Sequence, residues 1–172
     1  GIINILEPRN LIIIESTCPV GTTELIEKII YKKRPDLKKN SINISYCPER
    51  ILPGNTLTEL INNDRIIGGI NNKSSNHAKK IYELFVKGSL KLTDCKTAEM
   101  CKLVENTYRD INIAYANELS MVSESLKINV WKLIELSNLH PRVNILKPGP
   151  GVGGHCIAVD PWFLISQNKK LA

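Results

Sequence analysis

From Cys95 to Ile128 the chain contains neither Gly nor Pro and is rich in Ala, Glu, Leu and Lys, the make-up of one unbroken helix. Asp94 stands where an N-cap belongs. At 1.5 Å per residue such a helix spans about 50 Å, more than the width of a small domain. One small core cannot cover it, so part of its apolar surface is expected to meet a second copy of the chain in a homodimer. Asn129 is placed to cap a second helix running through Leu139, and Asp160-Pro161 has the N-cap and N1 chemistry of a third.

The residues ahead of this stretch follow another rhythm. Leu11 to Glu15 is a short apolar run without alternation, as in a strand buried on both faces. Thr22 or Thr23 can cap a helix whose Leu25, Ile26, Ile29 and Ile30 recur at helical spacing up to Lys33, before Pro35 ends the pattern. Asn43 to Tyr46 and Arg65 to Gly68 read as strands. A helix capped by Ser74 or Ser75 follows, with Ala78, Ile81, Tyr82, Leu84 and Phe85 as its apolar stripe, and then a strand from Leu90 to Thr93. Strand and helix alternate, which predicts the second half of a Rossmann-like parallel sheet with right-handed crossovers, followed by an all-helical region with one long helix. The GxGxxG dinucleotide turn is absent, because no strand leads into Gly151-Val152-Gly153-Gly154.

Composition excludes several classes. A chain of 172 residues that is 42% hydrophobic is long enough for a sizeable core. Apolar runs such as Leu11-Ile12-Ile13-Ile14 are too short to cross a membrane, and no signal peptide opens the sequence, so no membrane association and a cytoplasmic location are expected. The net charge of +6 comes from scattered Lys and Arg, including Lys32-Lys33-Arg34, which read as solvated faces. With few and dispersed aromatic residues this argues against nucleic acid and suits a small phosphate-bearing substrate. Cysteines 18, 47, 95, 101 and 156 form no CxxC pair; reduced thiols and no metal site are expected, with Cys95 and Cys101 serving to pack.

Gly153-Gly154-His155-Cys156-Ile157-Ala158-Val159-Asp160-Pro161 carries the most chemistry. Glycines admit close approach, and a helix starting near Asp160 directs N–H dipoles at the thiol and favours thiolate, which a charged Asp160 nearby would oppose. From these residues alone a buried structural cysteine beside a flexible loop is an equally good reading. Lys102 and Asn106, four apart, share a helix face, although composition alone makes Lys102 a solvated lysine.

Three segments change that balance. The GGxCxxxDP pattern, Glu15-Ser16-Thr17-Cys18-Pro19-Val20-Gly21-Thr22 and Ala98-Glu99-Met100-Cys101-Lys102-Leu103-Val104-Glu105-Asn106-Thr107-Tyr108 together resemble the UDP-glucose/GDP-mannose dehydrogenase family, in the family's order and through nearly the whole chain. The resemblance implies an NAD-dependent enzyme that oxidises a nucleotide-sugar 6-hydroxyl twice, capturing the aldehyde on cysteine and hydrolysing the resulting thioester to a uronic acid. Cys156 matches that nucleophile. Lys102 would stabilise the developing alkoxide and Asn106 a water or oxyanion; Glu49 is the candidate general base, with Thr17 and Asp160 positioning water. Thr17 is also a candidate cofactor contact. Pro53 replaces a second glutamate of the glucose-specific loop, so a role resting on that glutamate does not carry over.

The Cys47-Pro48-Glu49-Arg50 loop with Pro53-Gly54, and the Pro148 to Cys156 loop, resemble the branch that oxidises UDP-N-acetylmannosamine, where matching positions imply substrate contacts from Arg50, Ile51, Arg109, His140, Arg142 and Gly153. His140 and Arg142 are also placed as charges favoured at a helix C-terminus. UDP-glucose or another UDP-hexosamine is the alternative substrate. The implied division is 1–93, the C-terminal half of the NAD-binding domain, and 94–172, a helical dimerisation domain carrying the thiol. The upstream βαβ unit and downstream UDP-binding domain fall outside these residues, so the chain alone is expected to be inactive. Two rivals are a non-catalytic dimerisation module and a hydroxyacid-type Rossmann oxidoreductase, which needs no GGxCxxxD thiol.

Overall fold

The computed structural model describes residues 1–51 and 54–167. Two compact units form, residues 1–102 and residues 103–172.

In the first unit, after a 3-10 turn at Ile2–Ile5, four strands lie in sequence order: β1 (Leu11–Ile14), β2 (Asn43–Tyr46), β3 (Arg65–Gly69) and β4 (Leu90–Asp94). β1 pairs in parallel with β2, Leu11 opposite Asn43, and β3 in parallel with β4, Arg65 opposite Leu90. The central pair is antiparallel, with Ser45 opposite Gly69, so the sheet is mostly and not wholly parallel. A parallel return needs a crossover of a dozen or more residues carried back along the sheet. Between β2 and β3 the described residues hold one short helix, α2 (Thr56–Asn62), which the sequence reading does not include. It spans about 10 Å at helical rise, so the chain re-enters at the end it left. Arg65 of β3 accordingly reaches Glu49, just beyond β2.

Both faces of the sheet are covered, which explains the apolar runs without alternation. Ile12, Ile14 and Ile44 pack with Ile30 of α1 (Thr22–Lys33), Leu6, Leu37 and Ile42. On the other face Leu11, Ile13, Cys47, Ile67 and Leu90 meet Ala78 and Tyr82 of α3 (Asn72–Tyr82). Burying an isoleucine such as Ile44 contributes roughly 2 kcal/mol. The predicted α3 stripe is only half used, since Ile81, Leu84 and Phe85 are exposed. Its N-cap is Asn71, which accepts from Ser74 N, and not Ser74 or Ser75. Those serines are buried: Ser74 Oγ accepts from Ile44 N and Ser75 Oγ from Gly69 N, stitching α3 to the sheet. Gly68 has no room for a side chain; a Cβ there would lie 2.4 Å from the Asp94 carbonyl and 2.6 Å from Ala98 Cβ.

Helix α4 (Cys95–Ser125) follows β4 directly, 31 residues or about 46 Å long. Asp94 caps it as expected, accepting from Thr97 N (2.9 Å) and Thr97 Oγ1 (2.6 Å). It stops before Ile128 because Lys127 turns left-handed (φ 57°): Ile128 N donates to Ser123 O and Lys127 N to Glu124 O, a Schellman ending. Within the second unit α5 (Val130–Ser137) is capped by Asn129, whose Oδ1 accepts from Trp131 N and Lys132 N, and α6 (Asp160–Gln167) begins at Asp160. No described helix is long and apolar enough to cross a membrane.

Candidate functional site

The candidate residues fall into two groups, one in each unit. In the first unit they gather beyond the ends of β1 and β2. The Glu49 carboxylate folds back on its own loop: Oε1 accepts from Arg50 N (2.7 Å) and Ile51 N (2.8 Å), while Oε2 receives Arg65 Nη1 at 3.5 Å. Lys102 Nζ donates to the Glu49 carbonyl at 2.6 Å. Lys102 is therefore no free solvated lysine; its cation is tethered at the end of β2. The Arg50 guanidinium donates to the Asp64 carbonyl, and Arg50 and Ile51 are half-buried. Pro53 lies outside the described residues.

Arg65 and Glu99 are absent from the sequence-based site. Arg65 is only 4% exposed and lies over the Tyr82 ring, 5.3 Å from its centroid, while Tyr82 Oη donates to Glu15 Oε1 (2.7 Å). Burial and the neighbouring Cys47 and Glu15 push the Tyr82 phenol far upward, so this hydroxyl stays a donor.

Glu99 is wholly buried. Its Oε2 accepts from Gly21 N (2.6 Å), and Oε1 from Thr23 N (2.7 Å) and Thr23 Oγ1 (2.6 Å). The N-terminus of α1 is thus capped by a carboxylate from α4 and not by Thr22 or Thr23; its N-cap residue is Gly21, and Thr22 Oγ1 donates to Pro19 O. A signal for this exists in the sequence. Cys95, Ala98, Glu99 and Lys102 share one helical face, and an acid among small apolar residues on that face asks for a buried donor.

This cap also tests how the unit suits NAD. A helix N-terminus after a strand is a natural pyrophosphate site, but here Glu99 already fills it. What remains at the end of β1 is the exposed Ser16 and the half-buried Thr17, whose hydroxyls can both donate and accept, as a ribose or carboxamide requires. The residues fit the nicotinamide end of the cofactor.

In the second unit Asn106 Nδ2 donates to Asp160 Oδ2 at 2.5 Å, both side chains buried, 7% and 3% exposed. The Asp160 carboxylate is thereby engaged across the unit and does not float free beside the thiol. Cys156 O accepts from Val159 N (3.0 Å) and Asp160 N (2.8 Å), which places residue 156 one turn ahead of α6. Gly154 has φ +89°, a backbone that a side chain would strain, two residues before the thiol. Gly153, Arg109, His140 and Arg142 are exposed; His140 and Arg142 lie in the turns after α5, which ends at Ser137, where Arg142 N donates to His140 Nδ1.

The cysteines differ in exposure, with Cys101 half-buried between the extremes. All five are free; Cys18, Cys47 and Cys95 are buried, and burial raises each thiol above its usual range, Cys95 to about 11. Cys156 is exposed, which removes the buried structural reading. Among the described residues no group of three or more His, Cys, Asp or Glu is arranged to hold a metal ion.

Comparison with known proteins matches two successive stretches of the chain. Residues 1–86 match the family model described as "UDP-glucose/GDP-mannose dehydrogenase family, NAD binding domain", and residues 96–172 match the central domain of that family. A UDP-N-acetyl-D-mannosamine dehydrogenase of Methanocaldococcus jannaschii is 62% identical over 96% of this chain and 37% of its own length. An NDP-N-acetyl-D-galactosaminuronic acid dehydrogenase of Ralstonia nicotianae is 54% identical over 98% of this chain and 41% of its own. Among solved structures, a UDP-D-ManNAc dehydrogenase from Pyrococcus horikoshii superposes with a TM-score of 0.93 at 46% identity, covering 98% of this chain and 40% of that one. The chain therefore spans about two fifths of the length of these relatives. With two successive family models matched in order, and with the thiol, lysine and carboxylate motifs in the segments they cover, the chain belongs to the UDP-glucose/GDP-mannose dehydrogenase family.

Proposed function

We propose that this chain is the middle portion of an NAD-dependent UDP-N-acetylmannosamine 6-dehydrogenase, with Cys156 as its covalent nucleophile. The observation that carries the reading is the contrast among the cysteines: three are buried and held as thiols, whereas Cys156 is exposed in the glycine loop one turn ahead of α6. Identity to a named mannosamine dehydrogenase supports the substrate; the galactosaminuronic acid enzyme at comparable identity keeps another UDP-hexosamine as the second reading.

Two NAD molecules, bound in turn, would each accept one hydride, and Thr17 is the residue here suited to hold the nicotinamide end. The tethered Lys102 cation stabilises the alkoxide that develops at C6 of the sugar. The Cys156 thiolate adds to the aldehyde carbon, and its sulfur remains bonded through the second oxidation as a thioester. Water then adds to the acyl carbon, releasing the acid and restoring the thiolate. Glu49 serves as base for that water, since its carboxylate oxygens keep lone pairs beyond those the loop N–H groups use, with Thr17 and Asp160 orienting the water. Asn106, fixed by Asp160, offers an amide donor to the oxyanion. Arg50, Ile51, Arg109, His140, Arg142 and Gly153 contact the nucleotide sugar. Residues 1–93 act as half of the cofactor domain and 94–172 as a dimerising domain, and the free cysteines suit the reducing cytoplasm.

The test is Cys156→Ser in a full-length enzyme containing this segment, assayed with UDP-N-acetylmannosamine. The parent should yield two NADH per sugar. The variant should lose net conversion to acid, and mass spectrometry should find any acyl adduct at residue 156. Uronic acid formed at the parental rate would refute the covalent route.

A further inference from the structure

The other end of β1 and β2 holds a cavity that this reading does not use. It is about 290 Å³, at the lower end of the range for small-molecule sites, and is lined by Arg9, Asn43, Lys73, Asn76, His77 and Lys80. Arg9 precedes β1 and Asn43 opens β2, whereas Thr17 and Glu49 follow the far ends of the same strands. Lys73, Asn76, His77 and Lys80 lie at i, i+3, i+4 and i+7, one face of α3.

Three features distinguish the cavity from a solvated basic surface. Its lining contains no acid, and among the described residues neither Arg9, Lys73 nor Lys80 has an ion pair, whereas Lys79, Lys96 and Lys132 each have a glutamate. Arg9 has φ +75°, an uncommon conformation for a residue with a side chain, held by Arg9 N donating to Ser41 O (2.7 Å) and by Asn43 Nδ2 donating to Arg9 O (3.4 Å). Asn43 itself is 2% exposed, so a buried carboxamide forms part of the wall. Cations gathered around one cavity without counter-charge repel one another, and a strained backbone that brings one of them there needs a compensating interaction.

We propose that this cavity is a binding site for a small phosphate-bearing anion with at least two phosphoryl groups, either inorganic or the diphosphate of a nucleotide. Arg9 and the two lysines bind the phosphoryl oxygens, and Asn76, which gives one Nδ2 hydrogen to Asn72 O (2.7 Å), supplies its other as an amide donor, while the Asn43 amide is taken up by Arg9 O and Asn10 O and holds the Arg9 turn in place. The site stands independently of the dehydrogenase assignment and lies at the opposite strand ends from its residues.

Calorimetric titration of the full chain with pyrophosphate at about 150 mM salt, where non-specific surface attraction is largely screened, tests it. One-to-one saturable binding is expected, weakened at least tenfold by the uncharged Lys73→Met/Lys80→Met and further by Lys73→Glu/Lys80→Glu. Lys32→Glu/Lys33→Glu, the same charge change at the end of α1, should alter it less than twofold. Repeating the titration with UDP separates the sources: the pocket-dependent part is that lost in the α3 variants, and its greater affinity for UDP assigns a nucleotide, equal affinity the free ion. No saturable binding, or equal weakening by the α1 and α3 variants, overturns the proposal.

Discussion

Replacing Glu99 by Gln is the sharpest probe of how the first unit is built, because it changes charge and hydrogen-bonding capacity with almost no change in shape. The carboxylate accepts from Gly21 N, Thr23 N and Thr23 Oγ1, all between 2.6 and 2.7 Å and inside a wholly buried site. A glutamine oxygen can replace only one of the two acceptors. If it takes the Thr23 side, the amide NH2 confronts Gly21 N–H; in the other orientation both Thr23 donors lose their partner. One buried donor left unsatisfied costs about 1–3 kcal/mol, and loss of the anion at the start of α1 adds up to about 2 kcal/mol. A net loss of about 2–4 kcal/mol follows, equivalent to a fall in Tm of about 4–16 °C for a chain of this size. The two tryptophans, Trp131 and Trp162, both lie in the second unit. Urea unfolding followed by far-UV circular dichroism should therefore show the shift, while tryptophan fluorescence reports on the second unit separately. A loss below about 0.5 kcal/mol would mean that the Glu99 cap does not hold α1 in place.

Further outcomes follow from the same geometry. Asp94→Ala should cost about 1 kcal/mol as a lost N-cap. Its bonds to Thr97 hold the Asp94 carboxyl below the usual range, so the contribution is present above the unfolded carboxylate value of about 3.9 and lost as pH falls through the folded one; urea midpoints of parent and variant should converge in acid. Under limiting iodoacetamide the native chain should label at Cys156 first, with Cys18, Cys47 and Cys95 protected until unfolding; peptide mapping that finds Cys95 labelled as fast would contradict its burial. In a full-length enzyme Lys102→Ala should lower kcat while leaving nucleotide-sugar binding largely intact, and an unchanged kcat would remove Lys102 from the mechanism. Val104, Tyr108, Ile111, Tyr115 and Val122 form an exposed apolar seam along α4, so Ile111→Asp should shift sedimentation from dimer toward monomer; a parent already monomeric at micromolar concentration would count against the dimer.

Short-range physics was legible in the sequence. An apolar run marks β1, short stretches between turn and helix signals mark β2 to β4, the absence of Gly and Pro marks α4, and Asp94 and Asn129 act as the caps that their side chains suit. The sequence singles out Cys156 through its glycine-loop neighbours, and the structure leaves that side chain exposed. Less visible was α2, whose Leu57 is 74% exposed and whose seven residues carry too little periodicity to stand out. The α3 boundary was displaced because Asn71, Ser74 and Ser75 all have capping chemistry, and packing decides among them: the two serines are consumed by the sheet.

By itself, the sequence determined the four strands and, apart from their ends, every described helix of eight or more residues, together with where the long helix begins and which thiol sits in a glycine loop, since each depends on interactions within a few residues. Only the tertiary structure decided the antiparallel pairing of β2 with β3, the burial of Glu99 under α1, the tether of Lys102 to the Glu49 carbonyl and the Asn106–Asp160 bond. Those contacts join residues between 22 and 78 positions apart, and they form only once packing has removed the competing water. A carboxylate or lysine in a helix looks the same in sequence whether it faces solvent or a buried donor; the free energy that separates the two cases lies in the surroundings that the fold assembles.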